Sequence, residues 1–162
     1  MTGRVTVRRV DYTNEADARA LVELLNGYAM DPMGGGEALP PEVLSKLVPE
    51  LIKRPHAFSI FGLCDGQPVG LINAFEGFSS FAAAPLIYIH DVTVDPAHRG
   101  QGVAVAMLQE VERIALERGA CKMTLEVLSR NPAARVYERF GFKLYQLDPA
   151  AGTGQFMQKK LK

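Results

Sequence analysis

Apolar side chains recur along this chain with two periods, about two residues and about 3.6 residues, and the two alternate in blocks. Val5, Val7 and Val10 alternate within residues 4–10, with Arg8 and Arg9 between them, which predicts an edge strand carrying charge on its open face. Thr13 or Asn14 then reads as a helix cap. Ala18, Leu21, Val22, Leu25 and Ala29 follow at helical spacing, and Asp31-Pro32 ends that helix. The glycine-rich stretch Met33-Gly34-Gly35-Gly36-Glu37 predicts a mobile loop, and residues 41–53 a second helix broken near Pro49. Residues 56–64 and 68–75 predict two strands joined at Asp65-Gly66, a hairpin signal.

Residues 76–85 then read as a connection, and residues 86–94 as a further strand. A long amphipathic helix is expected over 102–118, its stripe made of Ala104, Met107, Leu108, Val111, Ile114 and Ala115. Gly119 suits a left-handed end to it. Residues 121–128 alternate as a strand, 131–140 predict a short helix closed by Gly141, and 142–147 with 155–161 predict a final hairpin. The order is β-α-α-β-β-β-α-β-α-β-β. Crossover helices imply parallel pairing and hairpins imply antiparallel pairing, so the expected fold is α/β (α+β) with a mixed central sheet of about six to seven strands and about four helices.

The 162 residues, 48% of them hydrophobic, suit a single domain over 1–162. Lys and Arg number 18, as do Asp and Glu, a balance that disfavours nucleic-acid binding. No run of about 18 apolar residues suggests a membrane span, and no leader is apparent, so a cytoplasmic location is expected. Cys64 and Cys121 both fall in predicted strands, where a cysteine reads as a small apolar residue with nothing to activate it as a nucleophile. No cluster of His, Cys or Asp has metal-ligand spacing, so no metal is expected.

The chemistry concentrates between the strand 86–94 and the helix 102–118. Arg99-Gly100-Gln101-Gly102-Val103-Ala104 places a forked cation and two glycines where a helix begins. A helix start offers unpaired N–H groups and a partial positive charge, and glycines let those groups approach an anion closely, so the stretch reads as a diphosphate cradle. It lacks the third glycine of the dinucleotide fingerprint and the Lys-Ser/Thr ending of the P-loop.

What it does resemble is the acyl-CoA motif of the GNAT superfamily of N-acetyltransferases, Q/R-x-x-G-x-G/A, with Val92-x-Val94-x-Pro96 as its lead-in. The segment Asn131-Pro132-Ala133-Ala134-Arg135-Val136-Tyr137-Glu138-Arg139-Phe140-Gly141-Phe142 is similar to the family's N-x-x-A…Y-x-x-x-G-F segment, although Asn131 and Tyr137 stand one position closer than usual. The element order also resembles the family's fold over nearly the whole chain.

The resemblance implies acetyl-CoA as co-substrate, bound by Arg99, Gly100, Gln101, Gly102, Val103 and Ala104, by the strand backbone at Val92, Thr93 and Val94, and by Asn131, Ala134 and Tyr137. It implies an acceptor amine that attacks the thioester directly. Tyr137 would protonate the leaving thiolate as general acid. His90, Asp91 and Glu126 are the alternatives for the base, Glu76 in the connection bordering the acceptor side is a fourth, and a water relay is also open. The acceptor side would be built from residues 28–41 and 75–81, where Phe75, Phe78 and Phe81 either line a pocket or belong to the core. Asp31, Glu37 and Glu76 favour a cationic small molecule, a peptide N-terminus is the second acceptor, and a non-catalytic CoA-binding module is the rival of another class. Relatives often form homodimers, but this sequence carries no interface signal.

Overall fold

The computed structural model describes residues 3–162, which divide into two compact units, one running to Leu125 and the other Glu126–Lys162. The first unit holds a five-stranded sheet in the order β1-β2-β3-β4-β5: β1 (Val5–Arg9), β2 (Ala57–Cys64), β3 (Gln67–Ser79), β4 (Ala84–Val94) and β5 (Met123–Leu125). The pairs β1·β2, β2·β3 and β3·β4 are antiparallel, and β4·β5 is parallel. The mixed sheet expected from the sequence is therefore present, with five strands among the described residues.

Three α-helices belong to this unit: α1 (Glu15–Met30), α2 (Pro41–Ile52) and α3 (Val103–Glu117). Asn14 caps α1, its side chain accepting from the Asp17 N–H at 3.0 Å. Arg8 grips Asp17 with two bonds of 2.7 and 2.8 Å, and the Asp11 N–H donates to the same carboxylate, tying β1 to the start of α1. Pro49 does not break α2, which runs through it.

Alternation along the strands assigns the helices to faces. A Cβ on Gly62 or Gly70 would run into Val103 and Met107, so α3 packs closely on the β2–β3 face where side chains are absent. Phe58, Ile60, Ile72, Ala74, Ile87 and Ile89 share that face, and all are buried. On the opposite face, Phe61, Leu63 and Leu71 join Leu21 of α1 with Val48 and Leu51 of α2 in one apolar cluster. Burying such side chains stabilises by about 1.5–3 kcal/mol each.

Several expected boundaries differ. β3 extends to Ser79 and β4 begins at Ala84, so residues 76–85 are mostly strand and the turn is only residues 80–83. Pairing of Phe78 with Pro85 and of Ser79 with Ala84 lets the backbone continue beyond the apolar run. β5 is three residues long, not the eight of 121–128. Cys121 lies before it and is exposed, while Cys64 is buried in β2, so the expectation of two buried cysteines holds for one.

The C-terminal unit contains α4 (Ala134–Phe140), closed by Gly141 at φ 117°. The expected hairpin of 142–147 with 155–161 is not formed. A single antiparallel bridge, Gln146 to Thr153, closes the loop around a short 3₁₀ turn at Pro149–Ala151. An alternating pattern makes a strand only where a neighbouring strand completes its hydrogen bonds, and Leu144, Leu147, Phe156 and Met157 stay exposed.

Candidate functional site

One irregularity sets which side chains of β4 share a face. Asn73 of β3 pairs with Asp91, but the next β3 residue, Ala74, pairs with Ile89, so His90 is an extra residue, a β-bulge. Simple alternation would place Asp91 on the α3 face with Ile87 and Ile89. The bulge shifts the count by one and turns Asp91 to the face of α1 and α2. His90 joins that face, its ring 6.0 Å from Phe75 and 5.5 Å from Tyr88, whose hydroxyl is 3.2 Å from His90 Nδ1. Two consecutive polar side chains thus leave one strand on the same side, with His90 exposed and Asp91 half-buried.

Behind Asp91 runs a chain of buried polar groups. Asn73 Nδ2 donates to Asp91 Oδ2 at 3.0 Å, Ser59 Oγ donates to Asn73 Oδ1 at 2.6 Å, and Tyr12 and Ser59 hydroxyls are 2.6 Å apart. Tyr28 of α1 borders the same region. Burial pushes its phenol pKa up, and the carboxylates of Asp91 and Asp31 push it further, so Tyr28 keeps its proton while two negative charges face it.

At its other end β4 runs into the expected cradle. Gly100 and Gly102 adopt φ 75° and 82°, a region that L side chains rarely enter, and Gly102 caps α3 without a side-chain hydrogen bond. The first helical bond there is from the Ala106 N–H to the Gly102 carbonyl, which leaves the N–H groups of Val103, Ala104 and Val105 at the open helix start. Arg99 stands beside them, its Nε donating to the Val94 carbonyl at 3.0 Å and its Nη2 to Asp31 at 3.1 Å. Gln101 reaches back to the Ala97 carbonyl. Val103 is buried against Gly62 and Gly70, so its side chain packs α3 on the sheet. A groove of about 360 Å³ lies between α1 and the C-terminal end of β4, lined by Tyr28, Thr93, Asp95 and Arg99 among others.

The parallel partner of β4 stops early. β5 pairs only with Ile87, Tyr88 and Ile89, so among the described residues no strand occupies the second edge of β4 along Val92, Thr93 and Val94. An extended ligand can add itself to such an edge through backbone hydrogen bonds.

In the C-terminal unit, Asn131 turns the chain into α4, its side chain accepting from the Ala133 N–H at 2.9 Å. Ala134 opens the helix and Tyr137 lies buried on it, its ring edge-on to Phe142 at 6.2 Å. Glu126 begins this unit and is exposed. Phe78 and Phe81 are exposed at 67% and 98%, which removes both from the core, and Phe75 alone of the three reaches His90.

Tyr12, Ser59 and Asn73 were not singled out from the sequence, and Tyr28 entered only as the start of the expected acceptor-side segment 28–41. The available signal was Asn73 itself, a lone amide inside the apolar run Gly70-Leu71-Ile72-Asn73-Ala74. Among the described residues no group of three or more His, Cys, Asp or Glu could hold a metal ion, and no helix is long and apolar enough to cross a membrane.

Comparison with known proteins places these features in context. The sequence model of the Acetyltransferase (GNAT) family matches residues 20–142. The streptothricin acetyltransferase of Streptomyces lavendulae is 36% identical over 86 residues, covering 52% of this chain and 46% of that protein. The chain thus matches about half or less of the length of the curated relatives heading the comparison. Among solved structures, a probable acetyltransferase superposes with a TM-score of 0.78 at 22% identity, covering 98% of this chain and 99% of the other. An aminoglycoside N-acetyltransferase in complex with CoA gives 0.73 at 17% identity, covering 99% and 96%.

Proposed function

The chain belongs to the acetyltransferase (GNAT) family, and on that premise we propose that it is an acetyl-CoA-dependent N-acetyltransferase of small, positively charged primary amines. The observation that carries this reading is the β4 bulge, which sets Asp91 and His90 on one face of a strand that ends in an anion cradle. The N–H groups from Gly100 to Ala104, with Arg99, hold the diphosphate of acetyl-CoA. The open edge of Val92, Thr93 and Val94 pairs with its pantetheine arm and supplies an N–H for the thioester oxyanion.

Asp91 is the counter-ion of the acceptor's ammonium, and His90 takes its proton, since imidazole exchanges protons readily near neutral pH. The neutral amine then attacks the thioester carbonyl. As the tetrahedral species collapses, the C–S bond breaks, the thiolate takes a proton from Tyr137, and the resulting phenolate is reprotonated by the excess proton released from the newly acylated nitrogen. Asn131 and Ala134 support the CoA arm in this reading, and Glu126 is the base in the version with a peptide acceptor. The family match crosses from the first unit into the second, which supports one acetyltransferase domain over 1–162. A cytoplasmic setting belongs to the same reading.

Cationic acceptors are supported by the carboxylates of Asp31 and Asp91 around Tyr28, and by the streptothricin and aminoglycoside acetyltransferases among the similar proteins. The test is calorimetry with acetyl-CoA on the wild type and Gly102→Glu, followed by thiol release with streptothricin, an aminoglycoside and a short peptide. Binding by the wild type alone and release with a cationic small amine are expected. Equal binding by both proteins sinks the cradle, and release with the peptide alone sinks the small-amine acceptor.

A further inference from the structure

Three polar side chains from three separate segments line up behind Asp91 at the β4 bulge, and their hydrogen bonds have one consistent direction. Ser59 has a single proton and gives it to Asn73 Oδ1, so the Tyr12 hydroxyl must donate to Ser59 Oγ. With its carbonyl oxygen occupied, Asn73 can present only its NH₂ group to Asp91, where Nδ2 donates to Oδ2 at 3.0 Å. Burial pushes the Tyr12 phenol pKa up, which keeps the terminal donor protonated. Ser59 and Asn73 are 1% and 3% exposed, so neither can exchange its partner for water.

We infer that Asn73 is a positioning residue, oriented by Ser59 and Tyr12, that fixes the Asp91 carboxylate so that its second oxygen meets the acceptor's ammonium. The inference rests on the reading of Asp91 given above. A carboxylate on a strand can rotate about its side-chain torsions, and one donated bond to Oδ2 removes that freedom. Oδ1 is left to the substrate. Successive bonds pointing the same way polarise one another and strengthen the last donor, which is the one on Asp91. The direction also explains why an amide suits position 73. An aspartate there would set oxygen against oxygen, and a leucine would leave Ser59 and Asp91 without their partner inside the sheet. The chain starts at Tyr12, between β1 and α1, so a residue remote from the acceptor helps to set the geometry there.

The experiment is a double-mutant cycle on the full chain, following thiol release from acetyl-CoA with streptothricin as the acceptor probe. Tyr12→Phe and Ser59→Ala remove the first and second donors without touching the acceptor side. Each is expected to lower kcat roughly two- to tenfold while leaving the KM for acetyl-CoA within about twofold. In the Asp91→Asn background the same substitutions should change the rate no further. Equal losses with and without Asp91 would overturn the inference, because the residues would then act on the fold alone.

The outcome separates this inference from the functional reading. If Asp91→Asn keeps the wild-type rate, acetyl transfer itself stands, while the counter-ion role of Asp91 and the positioning role of Asn73 both fall. If the wild type releases no thiol, the catalytic purpose falls with the reaction. The hydrogen-bond chain is then judged by the Asn73 side-chain amide protons in NMR, which Asp91→Asn and Tyr12→Phe should both shift. Unshifted protons would remove the chain itself.

Discussion

Arg99 Nη2 lies 3.1 Å from Asp31 Oδ2, so the cation expected to meet a diphosphate is already paired with a carboxylate from the turn after α1. The Met33 N–H and then the Arg99 guanidinium hold the Asp31 carboxyl below the usual carboxylate range, so it is ionised at neutral pH and competes with a phosphate for Arg99. Asp31→Asn keeps the oxygen that accepts from Met33 and removes the competition. Acetyl-CoA should therefore bind about two- to fivefold more tightly to the variant, a small factor because the pair is partly solvated. Calorimetry at low and high salt checks this. The gain should shrink as salt screens the pair, and weaker binding by Asp31→Asn would contradict the competition.

Gly102 occupies φ 82° with open space where a Cβ would stand, so its cost of substitution lies in the backbone rather than in crowding. Gly102→Ala should lose about 1–2 kcal/mol in urea unfolding, the usual cost of a left-handed L residue. Acetyl-CoA binding should weaken as the helix start shifts. Unchanged stability would show that the turn can adopt another conformation.

Gly70 presents the opposite case. A Cβ there meets Val103 and Met107, buried side chains of α3, while the backbone is not in the left-handed region. Gly70→Val should destabilise by about 1–3 kcal/mol through overpacking. In the same protein, Met107→Ala should recover part of the loss if the clash is with that side chain. Thermal unfolding of the single and double variants reads this out, and strictly additive losses would exclude the contact as the cause.

Asp17 is almost fully buried, and the hydrogen bonds from Arg8 hold its carboxyl below the usual carboxylate range. The folded value is thus lower than the unfolded one. The ionised form contributes stability above about pH 4, and that contribution disappears as the pH falls through the folded pKa. Urea midpoints measured from pH 6 down to pH 2.5 should fall more steeply for the wild type than for Asp17→Asn, and the variant should be less stable at neutral pH. Parallel pH curves would remove Asp17 as the source.

The features legible in the chain alone are those decided by neighbours in sequence. Asn14 caps a helix because its own side chain reaches the Asp17 N–H, and Asp65-Gly66 turns a hairpin because Gly66 tolerates φ 82°. The tight turn at residues 99–104 was readable for the same reason, since Gly100 and Gly102 owe their positive φ to the absence of a Cβ. The apolar stripe of α3 marked its buried face, and Met107, Leu108, Val111 and Ile114 are all buried there.

Tertiary structure decided what depends on a partner across the fold. Alternation in 86–94 cannot reveal that His90 is bulged, because the extra residue exists only relative to the pairing with Asn73 and Ala74. Nor can it show that Asp91 therefore faces α1 and α2. The residues behind Asp91 come from positions 12, 59 and 73, and a chain of hydrogen bonds between strands leaves no period in sequence. The same limit explains residues 142–161, whose alternating apolar side chains resemble strands. A strand is a property of two edges, and that segment forms only the bridge of Gln146 with Thr153.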